Sequence, residues 1–242
     1  MRVWKRRDLT IVSGFDKDCI VIACDSCGGI GEKPGDCCKL PAYYAGKFTA
    51  RVVLYELICA GSEPIVISDG LACEMEPTGK RIILGIKDEL KNAGLDNITL
   101  TGSTEENFPV TVTAIGVTAI GTAPEEKLRF QKASSGDKLI LLGSPVVGEA
   151  VDLESCGFYR YMRSMLSMPE IREISPVGSK GIAYEANLLA SLNHLSFKPF
   201  KTDVDLRKSA GPVTCILAVC EAAAADRFIK ISPEACLIGV LE

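Results

Sequence analysis

Histidine is nearly missing from this chain: its 242 residues contain one, His194, in NHLSF at an expected helix end. A single imidazole excludes H-E-x-x-H zinc sites and makes a Ser-His-Asp triad improbable. His194 is therefore read as a cap or core residue. No G-x-x-x-x-G-K-[ST] segment occurs, so the usual P-loop signature is absent. GGIG at 28–31 also fails the dinucleotide pattern G-x-G-x-x-G, because Pro34 stands in place of the third glycine. Positive charge is in deficit, with 27 Lys and Arg against 31 Asp and Glu and a net charge of −4. That balance argues against non-specific nucleic-acid binding, which needs a basic footprint. No uninterrupted apolar run reaches the roughly 18 residues of a membrane span. RVWKRR follows the initial Met without an apolar segment behind it, so no signal peptide is expected, and the expected compartment is the cytoplasm.

What is present fits a globular protein. The apolar share is 47% and the charged share 24%, and the length allows one large or two modest domains. Eleven cysteines run from Cys19 to Cys236, many inside apolar runs such as CIVIAC and VTCILAVC. They read as small buried hydrophobes in a reducing compartment rather than as disulfide staples.

Strand-like and helix-like segments alternate, which predicts a mixed α/β chain of two halves, 1–145 and 146–242. Cys19–Cys24 is a continuous apolar run and is expected to be a buried strand. Ala42–Ala60 reads as a buried helix ending at Gly61 and Pro64. Pro64–Cys73 is expected to be a strand, and Pro77 to open a helix with Ile82, Ile86, Leu90 and Ala93 on one stripe. Further strands are expected at Ile98–Thr101, Val110–Gly121, Asp137–Leu142, Val213–Val219 and Ala235–Leu241. Helices are expected around Gly148–Leu166, over Ser179–Leu192, and over Glu221–Ile229.

Three segments carry candidate chemistry. CDSCGGIGEKPGDCC, 24–38, admits a thiolate metal site of Cys24, Cys27, Cys37 and Cys38. It equally admits a ligand loop in which Asp25 leaves a strand while Gly28, Gly29 and Gly31 open backbone N–H groups to a phosphate, aided by Lys33 and Asp36. A plain turn is the third reading. In the 42–60 helix, Arg51 and Glu56 are charges in an apolar setting, and their spacing of about 140° makes them poor partners for each other. Each must find another partner, a ligand or a metal, unless Glu56 lies on a narrow wet face with Thr49. LTGSTEENF, 100–108, crowds oxygens into a strand-end loop of the kind that suits Mg²⁺ and phosphates, or forms a capped turn. GSKG at 178–181 is either an anion site at a helix start or a simple N-cap by Ser179.

In this order, VIACD, YELICAGSEP, TGSTEENFPVTVTAIGVTAIG and SGDKLILLG resemble the superfamily of aminoimidazole ribonucleotide synthetase, selenophosphate synthetase, thiamine-monophosphate kinase and the hydrogenase-maturation carbamoyl-dehydration protein. The resemblance runs from about Cys19 to Val151. Within it the chain looks most like the alpha-ribazole kinases of cobalamin salvage, through CDSCGGIGEKPGD, AYYAGKFTARVVLYELICAGSEP, TGSTEENF, PVGSKGIAYEANLLA and DLRKSAGPVTC.

The resemblance implies a two-domain α/β fold and a homodimer whose long strands form a shared barrel. It implies ATP and Mg²⁺ as cofactors, with phosphorylation of the ribosyl hydroxyl of alpha-ribazole as the reaction. An N-terminal ATP/Mg-binding domain and a shortened C-terminal domain would follow. Asp25 and Glu56 would hold the metal, with Glu105 as a further ligand. Gly28, Gly29, Gly31, Lys33 and Arg51 would face the polyphosphate, and Gly102, Ser103, Thr104 and Asn107 would orient phosphate or ribose. Ser179 and Lys180 would form a second anion site, and Asp36 would be the candidate base. Relatives carry Asp where this chain has Glu56 and Ser103; Asp36, Glu105 or Asp69 could replace the second. The alternatives are another ATP-dependent enzyme of the superfamily and a non-catalytic thiolate metal-binding protein. No nucleic-acid or membrane partner is expected.

Overall fold

The computed structural model describes residues 1–15, 17–230 and 232–242. They divide into two compact units, each mixing strands and helices. The first comprises Met1–Leu57, Ser62–Glu126 and Leu153–Gly157; the second comprises Ile58–Gly61, Lys127–Asp152 and Phe158–Glu242.

In the first unit the strands are β1 (Arg2–Arg6), β2 (Leu9–Phe15), β3 (Asp18–Gly28), the short pair β4 (Ile30–Gly31) and β5 (Cys38–Lys39), β6 (Glu63–Leu71), β7 (Thr99–Thr104) and β8 (Ala114–Pro124). Six of them form one sheet in the order β1-β2-β3-β8-β6-β7, antiparallel except for β6 and β7. Side chains on β3 alternate in burial, with Cys19, Val21 and Ala23 fully buried and Ile20 and Ile22 half exposed. CIVIAC is thus a one-sided strand rather than one buried on both faces. The half-exposed face continues through Thr10, Ile22, Ile120 and Val66, which share one register row across four strands.

Two helices belong with this sheet: α1 (Ala42–Cys59) and α2 (Lys80–Asn92). They meet backbone to backbone. A Cβ at Gly46 would lie 2.1 Å from the Ile82 carbonyl oxygen, and one at Gly85 would lie 2.0 Å from that of Tyr43. Only glycine permits such an approach. On α2 the stripe Ile82, Ile86 and Leu90 is buried, and Ala93 beyond its end is buried with it. Pro77 does not open α2; it sits in an irregular turn over Met75–Gly79, where Glu76 is extended, and the regular helix starts at Lys80.

The second unit holds β9 (Lys138–Gly143), α3 (Tyr159–Leu166), β10 (Ile171–Pro176), α4 (Ile182–Leu192), β11 (Phe197–Pro199), β12 (Cys215–Cys220), α5 (Ala225–Ile229) and β13 (Ala235–Leu241). Its sheet runs β10-β12-β9-β13-β11, antiparallel throughout. Ile182, Ala186 and Leu189 of α4 pack into one core with Leu139, Leu141 and Leu217. The helix expected around 148–166 is regular only in α3, because Gly148 and Gly157 both take positive φ. No helix is long and apolar enough to cross a membrane among the described residues.

Candidate functional site

The turn between β1 and β2 is built from Arg7 and Asp8, since Arg6 pairs with Leu9. It lies beside the end of β3, because the β2–β3 register runs from Thr10 opposite Ile22 towards this turn. Together with α1, these segments enclose a cavity of about 370 Å³. Asp25 lines it from β3 and Glu56 from α1; Lys5, Arg7 and Asp8 line it from the hairpin, and Val52 and Val53 form an apolar wall. The two carboxylates that the sequence singled out therefore face one pocket.

Glu56 is almost enclosed, its side chain 14% exposed, and its Oε2 accepts no hydrogen bond from the described residues. The nearest cation is Arg7, whose Nη2 lies 3.6 Å from that oxygen. Burial pushes the Glu56 carboxyl up to about 7; Arg7 pulls it back, while Asp8 and Asp25 push it further. Asp25 is also raised, chiefly by burial and then by Asp8, against a hydrogen bond from the Ser26 backbone. Three acids thus repel one another around a polar cavity. Such an arrangement suits a cation shared with a ligand.

Among the described residues, no three His, Cys, Asp or Glu side chains are grouped to hold a metal unaided. This includes Cys24, Cys27, Cys37 and Cys38, so the opening cysteines form no thiolate cluster. Mg²⁺ does not require a protein cage; one or two carboxylates with phosphate oxygens and water usually suffice. Asp25 and the bare Glu56 oxygen fit that demand.

The glycine loop is fastened rather than open. Gly29 N–H donates to Thr113 O at 2.9 Å and Gly35 N–H to Thr111 O at 2.8 Å. Asp36 accepts from Thr113 N at 2.7 Å, Thr113 Oγ1 at 2.8 Å and Lys33 N at 2.8 Å. Burial opposes its charge, yet these donors hold its carboxyl below the usual range. A carboxylate so engaged is a poor proton acceptor and a good loop fastener. Gly31 is required here, since a Cβ would fall 2.5 Å from Asp36 Oδ2 and 2.2 Å from Thr113 Oγ1. Gly28, at the end of β3, has open space where a Cβ would stand. Lys33 Nζ donates to Glu74 Oε2 at 2.5 Å and is not part of the cavity lining.

Arg51 is held elsewhere in the unit. Its Nε and Nη2 donate to Glu89 at 2.6 and 3.1 Å, and Nη2 also reaches Ser155 O at 2.6 Å. The guanidinium is an internal strut, with no position on the cavity wall.

β7 carries the third segment. Gly102 lies in the register row Asp25–Val117–Asp69–Gly102, and a Cβ on it would meet the Asp69 carboxylate at 2.2 Å. Asp69 is buried, which raises its carboxyl. Ser103 and Thr104 finish β7, and Thr104 Oγ1 donates to Glu106. Glu105 Oε1 accepts from Asn107 N at 2.7 Å, making the capped turn. Three strand spacings, about 14 Å, separate β3 from β7, so the Asp25–Glu56 pair and Glu105 do not form one ligand set.

Ser179 and Lys180 belong to the second unit. Ser179 does not cap α4; the N-cap is Gly181 at φ 82°, without a side-chain cap. Lys180 Nζ sits 4.4 Å over the Tyr184 ring. His194 has φ 59° just past α4, and its N–H donates to Ser191 O, as a C-terminal cap would.

Lys5, Arg7 and Asp8 belong to no motif in the sequence. Their available signal was a two-residue polar turn between VWKR and the alternating LTIVS, a hairpin pattern.

Residues 8–123 match the family model described as AIR synthase related protein, N-terminal domain. Among solved structures, T. maritima PurL complexed with FGAR superposes with a TM-score of 0.68 at 15% identity, over 96% of this chain and 43% of that one. T. maritima PurL complexed with ADP gives 0.72 at 14% identity, over 98% and 42%. The hydrogenase maturation protein HypE in complex with ATP gives 0.69 at 15%, over 92% and 76%. This chain therefore spans less than half of PurL. No curated protein sequence matches it. The fold is that of AIR synthase-like proteins.

Proposed function

We propose that this chain is an ATP- and Mg²⁺-dependent enzyme whose nucleotide polyphosphate binds in the Asp25–Glu56 cavity. The observation that carries the reading is the pairing of those carboxylates on one cavity with Lys5 and Arg7, while Glu56 Oε2 has no hydrogen bond among the described residues. Support comes from similar folds seen with ATP and ADP bound. When bound, Mg²⁺ would supply neutralisation of phosphate charge. Asp25 and Glu56 would hold it, and Lys5 and Arg7 would bind phosphate oxygens. Val52 and Val53 would keep water from one wall.

The acceptor we propose is a ribosyl hydroxyl, that of alpha-ribazole, which makes the enzyme a kinase of cobalamin salvage. This rests on the motif resemblance. The half-exposed row Thr10, Ile22, Ile120 and Val66 would pair with a second copy, giving a homodimer. The N-terminal domain would bind nucleotide, with the chain working in the cytoplasm. Thermal stabilisation by Mg–ATP, with and without alpha-ribazole, tests binding. Phosphate transfer to a nucleoside panel tests the acceptor. Stabilisation by Mg–ATP without turnover of alpha-ribazole would point to another ATP-dependent enzyme of this fold. No stabilisation at all would sink the reading.

A further inference from the structure

Resting on that reading, we propose that Arg7 is the resident counter-ion of the metal subsite. It neutralises Glu56 while the cavity is free of nucleotide, and turns onto a phosphate oxygen when a metal-bound polyphosphate enters.

Three observations converge on Arg7. The first is its distance from Glu56, 3.6 Å between Nη2 and Oε2, an ion pair without a hydrogen bond to that oxygen. At that distance Arg7 balances the charge on Glu56 without a short directional bond to this oxygen. Arg51 and Glu89 in the same unit show the contrasting case, with two bonds at 2.6 and 3.1 Å.

The second is backbone geometry. Arg7 occupies the first position of a two-residue hairpin turn with φ 51°. A positive φ there favours glycine, and a bulky side chain is strained. Strained residues persist where their side chains are needed, and they cluster at ligand clamps. Although it stands at a turn, the Arg7 side chain is only 7% exposed, because it is folded inward against the cavity.

The third concerns what the hairpin adds. The family match begins at residue 8, so Lys5 and Arg7 lie ahead of the matched domain. Both of the cavity's cations thus come from the strand and turn that precede the matched span. Asp8, at the other turn position, brings a third carboxylate towards Asp25 and Glu56. With Arg7 turned away, these acids would face each other unbalanced, and a divalent cation would be drawn in more strongly.

The consequence is a pair of opposite effects from one substitution. Arg7→Gly suits the positive φ and keeps the turn, and a thermal melt establishes that the variant is folded before it is titrated. Removing the competing cation should tighten binding of Mn²⁺ alone, while losing a phosphate contact should weaken binding of the Mg²⁺ complex of a non-hydrolysable ATP analogue. Each shift should be about tenfold, the equivalent of one charge-assisted contact. Arg7→Lys, which keeps the charge, should bind Mn²⁺ as the wild type does. Both titrations are calorimetric and need no turnover. Shifts in the same direction, or none, overturn the counter-ion role. A wild-type protein that binds no Mg²⁺–analogue overturns the parent reading instead, and Mn²⁺ affinity unchanged by Arg7→Gly overturns the counter-ion independently of it.

Discussion

Arg51 on α1 and Glu89 on α2 form a two-point ion pair whose side chains are 3% and 0% exposed. Glu89 also accepts from Asn92 Nδ2, and Arg51 extends to the Ser155 carbonyl. The pair ties two helices and the returning segment 153–157 into one unit.

Removing one partner leaves an uncompensated buried charge, which costs about 3–5 kcal/mol. Glu89→Gln or Arg51→Ala should therefore lower the unfolding free energy by that order in denaturant titration. A loss within 1 kcal/mol of zero would show that the pair is not needed.

Asp25→Asn should remove stabilisation by Mg–ATP while leaving the melting point of the free protein nearly unchanged. Asp25 is half-buried and burial raises its carboxyl, so a neutral amide in its place removes a charge that the fold disfavours. Differential scanning fluorimetry with and without nucleotide reads both quantities. Full Mg–ATP stabilisation in the variant would remove Asp25 from the site.

Glu56 gives a pH-dependent prediction. Its carboxyl sits at about 7 in the folded protein against 4.5 for the free side chain, so folding takes up a proton. The folded state is favoured while the group is protonated, and that contribution fades as pH rises from 4.5 through 7. The gap corresponds to about 3 kcal/mol at full ionisation. Glu56→Gln cannot ionise, so its stability relative to wild type should improve between pH 4.5 and pH 8. Melting curves across that range check it; a difference independent of pH would contradict the assignment.

Gly85→Ala tests the helix contact. The added methyl would meet the Tyr43 carbonyl oxygen at 2.0 Å and Lys47 N at 2.8 Å, both backbone atoms. Forced separation of α1 and α2 should cost about 1–3 kcal/mol or more, read by denaturant unfolding. A neutral result would mean that the helices are not in backbone contact.

Local pattern made much of the fold legible. Ala42–Ala60 is α1 to within one residue, and Ala235–Leu241 is β13 as expected. Dense apolar runs with clear breakers report burial directly. β1 and β10 were not expected, because RVWKR and IREISP mix charge with apolar residues. Their strand state comes from ladder bonds to β2 and β12, which composition does not record. The site divided in the same way. Asp25 and Glu56 stood out as acids at an apolar strand end and within an apolar helix, whereas Arg7 looked like one charge in a basic N-terminal run.

By itself the sequence required that Arg51 and Glu56 each have a partner, since a charge in an apolar helix is too costly to leave alone, and that these two could not serve each other. Only the tertiary structure chose Glu89 for one and Arg7 for the other, and directed the loop amides to Thr111 and Thr113 instead of to a ligand. The need for a partner is a property of one segment and its solvent. Which partner arrives depends on how distant segments are brought together by the sheet, and no local pattern encodes that.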